Sequence, residues 1–245
     1  MSIIERTNPL NLQFCVCVVL NCSCPLGITI SKTLLKANAL VLGVDSRPKD
    51  ESLNAGLGTH FQYEQNSPGD VSSEQIMKIV EDRYDQQRMD VVINIVEAGQ
   101  EEGVKDAVEL MEGLAKVIAD GARGKGALVT VMGDAHDPEA AHVQNVIDFS
   151  KDLASKFGKR GVRCNIVLGA VAIGRDKTSY EAAKENMHAL MKTERIANDV
   201  SSVDQAKQPV AELYDVGNVT LFLAGDMGEN ISGAIVARDG SYHEI

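Results

Sequence analysis

The chain has 245 residues, 44% of them hydrophobic, and a formal net charge of -11. That length and apolar content suit one large α/β domain or two small ones, with a sizeable core. The acidic balance excludes nucleic acid and anionic membrane as expected partners, and the longest apolar run, 15–20, falls far short of a membrane span. The first residues, MSIIERTNPLNLQF, lack the basic start and apolar stretch of a signal peptide, so a cytosolic location is expected.

Strand-like and helix-like runs alternate along the chain. FCVCVVLN (14–21) is a continuous apolar strand, ITISKTLLKANA (28–39) has helical apolar spacing, and LVLGVD (40–45) is the next strand. THFQYEQ (59–65) follows as a third strand, and Asp70 stands where an N-cap would open a helix over 71–84. DVVINIV (90–96) reads as strand four, 104–121 as a long amphipathic helix and ALVTVM (127–132) as strand five. Asp137 and Pro138 suit the cap and first position of a helix running to about Phe157. VRCNIVL (162–168) is strand six and GAIVARDG (233–240) a last strand. This alternation predicts one doubly wound, Rossmann-like α/β domain over 1–245, with a mostly parallel seven-stranded sheet and helices on both faces. The polar stretch 173–208 interrupts the alternation and is expected to form a lid or insertion.

Cys15, Cys17, Cys22 and Cys24 form a CxC…CxC pattern that invites a zinc reading. With a strand rise of ~3.3 Å per residue, Cys17 and Cys22 stand up to roughly 16 Å apart, so one ion could be shared only across a sharp reversal. Buried small hydrophobes are the expected role, with no metal site and no disulfide framework.

Ligands of open α/β sheets bind beyond the carboxyl ends of the strands. Those ends are 21–27, 45–47, 94–99, 132–137 and 168–172. GVDSRP (43–48), DVVIN (90–94), KRGVRCNIVLG (159–169) and the tail NVTLFLAGDMGENISGAIVARDGSY (218–242) together resemble the short-chain dehydrogenase/reductase superfamily, over nearly the whole chain from Phe14. The resemblance implies a nicotinamide dinucleotide in the first turn. There the family's Thr-Gly-x-x-x-Gly-x-Gly is NCSCPLGIT (21–29), in which only Gly27 matches. Cys22 or Ser23 and Thr29 add side chains where the ligand should sit. Asp45, 18 residues beyond Gly27, stands where an acid would bind a ribose hydroxyl, and Arg47 where a 2′-phosphate would be met. Asn94 matches the start of the Asn-Asn-Ala-Gly motif, which continues here as Ile95, Val96 and Glu97. Gly27, Asp45, Arg47 and Asn94 are therefore the cofactor candidates. No bound cofactor is the favoured expectation, with NADP or NAD as the alternative.

The resemblance places the family's catalytic Asn, Ser, Tyr and Lys at Leu110, Gly133, Glu139 and Val143. None of these supplies the proton donor of carbonyl reduction. On this register Glu139 and Val143 face the cleft. The loop around them carries Asp134, His136, Asp137, Glu139 and His142, and Glu139 and His142 share one helix face. Glu139 and His142, with Asp134 and His136, are candidates for general acid–base work on a small-molecule substrate; Glu97 is a further pocket-lining candidate. The same residues also read as an ordinary acidic helix start with solvated histidines. Three functions stay open: a non-redox isomerase, cyclase or lyase acting on an apolar small molecule; an inactive binding or scaffold subunit; and a residual NADP-dependent reductase with an unusual proton donor such as Glu139. The resemblance further implies a homodimer or homotetramer through the stripes Val104, Val108, Met111, Ala115, Ile118 and Val143, Val146, Ile147, Leu153.

Overall fold

In a computed structural model of the chain, residues 10–49, 58–96, 101–121, 123–133, 141–169 and 213–238 are described, without the side chains of 101–107, 237 and 238. Seven strands form one sheet: β1 (Val16–Leu20), β2 (Leu40–Asp45), β3 (Phe61–Gln65), β4 (Val91–Val96), β5 (Gly126–Met132), β6 (Val162–Gly169) and β7 (Ile235–Arg238). Their order is β3-β2-β1-β4-β5-β6-β7, and every pairing is parallel. The doubly wound expectation therefore holds. Strands covered on both faces need apolar residues at successive positions. VCVVL of β1 and VVINIV of β4 supply them, buried throughout.

Five α-helices and two short 3₁₀ turns complete the described fold: α1 (Pro25–Lys36), α2 (Ser73–Tyr84), α3 (Glu101–Asp120), α4 (Ala141–Phe157) and α5 (Leu213–Ala224), with the turns at Gly158–Arg160 and Asp226–Gly228. Strand residues alternate between two cores. Cys17, Val19, Ile93, Ile95, Val129 and Val131 meet Leu26, Ile30 and Leu34 of α1 and Val216 and Leu223 of α5. Val16, Val18, Leu20, Val92 and Leu128 meet Ile76 and Val80 of α2, Met111 and Leu114 of α3, and Leu153 and Phe157 of α4.

Several boundaries differ from those expected. β1 is shorter than 14–21 because Phe14 and Asn21 both adopt positive φ, 66° and 58°, which an extended strand does not accommodate. Cys15 thus lies outside the strand and is half-buried, while Cys17 and Cys22 are fully buried. The first helix starts at Pro25, three residues before the expected Ile28, because Cys24 caps it and Pro25 tolerates the first turn. Asp70 does not cap α2. Ser72 does, and a capping box closes: Ser72 Oγ accepts from the Gln75 amide and the Gln75 side chain accepts from the Ser72 amide. The Asp70 amide is held in the preceding turn by the Ser67 carbonyl. The expected helix start at Asp137 and the proposed lid at 173–208 lie outside the described residues.

Candidate functional site

The strand order reverses between β1 and β4, which makes the crevice beyond their carboxyl ends the expected ligand site. Asn21 spans that point. Its left-handed backbone turns the chain out of β1, and its side-chain amide donates to the Ile95 carbonyl at 2.8 Å. Asn94 sits beside it on β4, 3% exposed, and its Oδ1 has no hydrogen-bond partner among the described residues. It faces the same side of the sheet as Val92, towards α3.

The turn from β1 to α1 is closely packed. Gly27 is fixed by sterics: a Cβ there would lie 2.6 Å from the Cys22 carbonyl oxygen. Cys22 does not project into the crevice, as the sequence suggested. Its sulfur fills the space beside Gly43, where a Cβ would come within 2.6 Å of it. Burial, followed by the nearby Asp45 charge, pushes the Cys22 thiol far above the usual cysteine range, which leaves it unreactive. Thr29 also turns away, donating its hydroxyl to the Pro25 carbonyl at 2.8 Å. At the helix start, the Cys24 sulfur accepts from the Gly27 amide at 3.3 Å, and Pro25 has no N–H. Two of the donors that a helix N-terminus offers to an anion are thus removed.

Asp45 ends β2 and is 1% exposed. Its Oδ2 accepts from the Ser23 amide at 2.8 Å and from Arg47 Nη2 at 3.0 Å. Its Oδ1 accepts from the Arg47 amide and from Arg47 Nε, both at 3.0 Å. Burial pushes the carboxyl pKa up, but the Arg47 side chain and the two amides outweigh it and hold the group below the ordinary Asp value. Tyr63 of β3 closes the outer side: its hydroxyl donates to the Arg47 carbonyl and lies 3.2 Å from Ser23 Oγ. In a dinucleotide fold the acid ending the second strand receives ribose hydroxyls, and the open first turn admits the pyrophosphate. Here the acid is saturated by the chain itself and the turn carries no further glycine. The described residues do not fit the adenosine half of a dinucleotide.

At the other end of the crevice the floor is apolar. Val96, Met132 and Leu168, at the ends of β4, β5 and β6, pack with Val143, Val146 and Ile147 of α4 and with Ile166. Val143 is fully buried, so it faces the sheet rather than an open cleft, which corrects its expected orientation. Leu110 is 5% exposed and belongs to the core on the α3 side. Gly133 closes β5 and is buried. His142, in the first turn of α4, is half-buried. Asp134, His136, Glu139 and Glu97 lie outside the described residues, so the acidic loop is not placed relative to His142.

One buried polar pair also escaped the sequence reading. Ser150 of α4 lies 3.3 Å from Thr130 of β5, hydroxyl to hydroxyl, beneath the crevice. Ser and Thr scattered in a helix and a strand carry no sequence signal; only the packing of α4 on β5 joins them.

The all-parallel sheet, its order and the crevice at the β1–β4 reversal define a Rossmann-type α/β protein. No protein-family model matches the chain. The chain is 25% identical over 270 aligned residues to the short chain dehydrogenase ausX of Aspergillus calidoustus, covering 96% of this chain and 99% of that protein. It is 24% identical to the short-chain dehydrogenase/reductase cdmF of Talaromyces verruculosus, with 96% and 99% covered. A crystal structure of a putative short-chain dehydrogenase/reductase from Burkholderia xenovorans superposes with a TM-score of 0.65 at 20% identity, over 94% of this chain and 96% of that one. Over its full length the chain is thus similar to proteins named short-chain dehydrogenases, and it shares their Rossmann-type α/β fold.

Proposed function

We propose that this chain is a superfamily member that has given up hydride transfer and catalyses a non-redox step, an isomerisation, cyclisation or elimination, on an apolar small molecule in the cytosol. The observation that carries the reading is Val143. The resemblance puts the family's catalytic lysine there, and the position is a fully buried valine in the apolar cluster of Val96, Met132 and Leu168. No ammonium exists at that place to lower the pKa of a neighbouring acid. The apolar floor suits a substrate rich in hydrocarbon. Glu139 and His142, one helical turn apart in the sequence, are the candidate acid–base pair, with Asp134 and His136 in the same loop.

The masses of products formed from an apolar metabolite extract test this. The reading expects a product of unchanged mass, or one lighter by a water, formed without added dinucleotide and lost in Glu139→Gln and in His142→Ala. A product heavier by two hydrogens, formed only with NADPH, contradicts it. That outcome supports the second reading, a reductase with another proton donor, which the names of the curated relatives favour.

A further inference from the structure

The residues around the β1–α1 turn do more than lack glycines. Four hydrogen bonds converge on the Asp45 carboxylate, two from the Arg47 guanidinium and one each from the Ser23 and Arg47 amides. Tyr63 ties the Arg47 carbonyl to the Ser23 hydroxyl across the mouth. The cluster spans three elements: the turn after β1, the end of β2, and β3. We infer that this cluster is a latch that closes the adenosine end of the crevice from within, so that the chain retains neither NADH nor NADPH.

The chemistry behind this is competition for one acceptor. A ribose diol needs lone pairs on a carboxylate at the end of β2, and an adenosine 2′-phosphate needs a guanidinium. Here the carboxylate's acceptor sites are taken by Arg47 and two amides, and Arg47 directs its Nε and Nη2 to the carboxylate rather than to a phosphate. A ribose diol would have to separate a bidentate, charge-assisted pair whose acid is 1% exposed. The pyrophosphate would find a helix start whose Gly27 amide is already engaged by the Cys24 sulfur. The ordinary helix-dipole attraction for an anion is left with few donors to deliver it.

The inference deepens the proposed loss of redox chemistry but rests on different residues from Val143, and the two fail separately. Binding of a dinucleotide without hydride transfer sinks the latch and leaves the non-redox reading. Dinucleotide-free turnover that survives Glu139→Gln and His142→Ala sinks the assigned acid–base pair and leaves the latch.

The test is calorimetric titration of the full chain with NADH and with NADPH, alongside Arg47→Ala and the double variant Arg47→Ala/Asp45→Asn. Circular dichroism establishes that each variant is folded. The wild type is expected to show no saturable binding at millimolar dinucleotide. Arg47→Ala removes both guanidinium bonds and uncovers the carboxylate, so NADH affinity is expected to rise by about tenfold or more, NADPH affinity to stay unchanged, and the gain to vanish in the double variant. Saturable binding of either dinucleotide to the wild type overturns the proposal. So does a folded Arg47→Ala that binds NADH no better than the wild type. Should Arg47→Ala not fold, Arg47→Gln, which keeps the length without the charge, takes its place under the same criteria.

Discussion

Asp45 keeps its charge in a nearly closed site because its donors come from residues fixed by backbone geometry. The Ser23 amide is presented by the turn that Asn21 begins, and the Arg47 amide lies two residues along the same chain. Its depressed pKa has a definite pH consequence. The stabilisation is complete above the unfolded Asp value of ~3.9 and is lost as pH falls through the lower folded value. Arg47→Ala raises the folded pKa towards the unfolded one. The variant should be about 1–2 kcal/mol less stable than the wild type at neutral pH, a figure reduced because the Arg47 side chain is 40% exposed. The difference should shrink below about pH 4. Urea midpoints measured across that range check it; a difference independent of pH would mean that Arg47 acts through packing alone. Ser31 offers the opposite case. Its hydroxyl is fully buried in α1 with no partner among the described residues, so Ser31→Ala should raise the unfolding free energy by about 1 kcal/mol, and a loss of stability would show that the hydroxyl is engaged. The place of Asp45 at the end of β2 was legible in the sequence. Its saturation was not, because Ser23 and Tyr63 approach it only when β1, β2 and β3 are side by side.

Helix ends show the same division between local and distant signals. The Ser72–Gln75 box is local, four residues long, and could have been read in place of Asp70. Ser72→Ala should cost about 1 kcal/mol, seen in thermal or urea unfolding, whereas Asp70→Ala should change little. The Cys24 cap was missed because a thiol is a weak acceptor outside the usual capping set. The end of α5 had no local signal at all. Arg163 of β6 reaches the carbonyls of Leu223, Ala224, Gly225 and Gly228, from 60 to 65 residues away in sequence. The Leu223 and Ala224 carbonyls are among the acceptors a helix C-terminus leaves unpaired, and those of Gly225 and Gly228 belong to the turn that follows. Arg163→Met should therefore destabilise the chain by about 2–3 kcal/mol, with Arg163→Lys recovering only part because an ammonium cannot fork across several carbonyls. Equal stability of the Met variant and the wild type would contradict this role. Strand and helix positions, by contrast, were legible within a few residues, because doubly buried strands and amphipathic helices write their periods directly into the sequence.

For the whole molecule, most residues of the stripes that the resemblance assigns to subunit contacts are buried within the single chain, with Val108 half-buried and the side chain of Val104 outside the described residues. Met111, Ala115, Ile118, Val143, Val146, Ile147 and Leu153 are each 4% exposed or less within the single chain. The outer faces of α3 and α4 carry charge instead, with Lys156 2.9 Å from Asp152 and 3.6 Å from Glu112. Protein interfaces are depleted of such residues at their centres. We propose that any assembly of two or four copies uses another face, so Lys156→Glu should leave the sedimentation coefficient unchanged; dissociation into smaller species would restore the helix-pair interface. No helix among the described residues is long and apolar enough to cross a membrane. The fold of the described residues was thus legible almost throughout. The closure of its crevice was not, because it depends on which side chains turn inward.

The proposal that this Rossmann-type frame shuts out a dinucleotide is tested in crystals grown with millimolar NADPH. Asp45 and Arg47 are expected to remain paired, with the Cys24 sulfur on the Gly27 amide and no ordered dinucleotide beside them. An ordered NADPH lying along Gly27, with its ribose phosphate on a displaced Arg47, would contradict it.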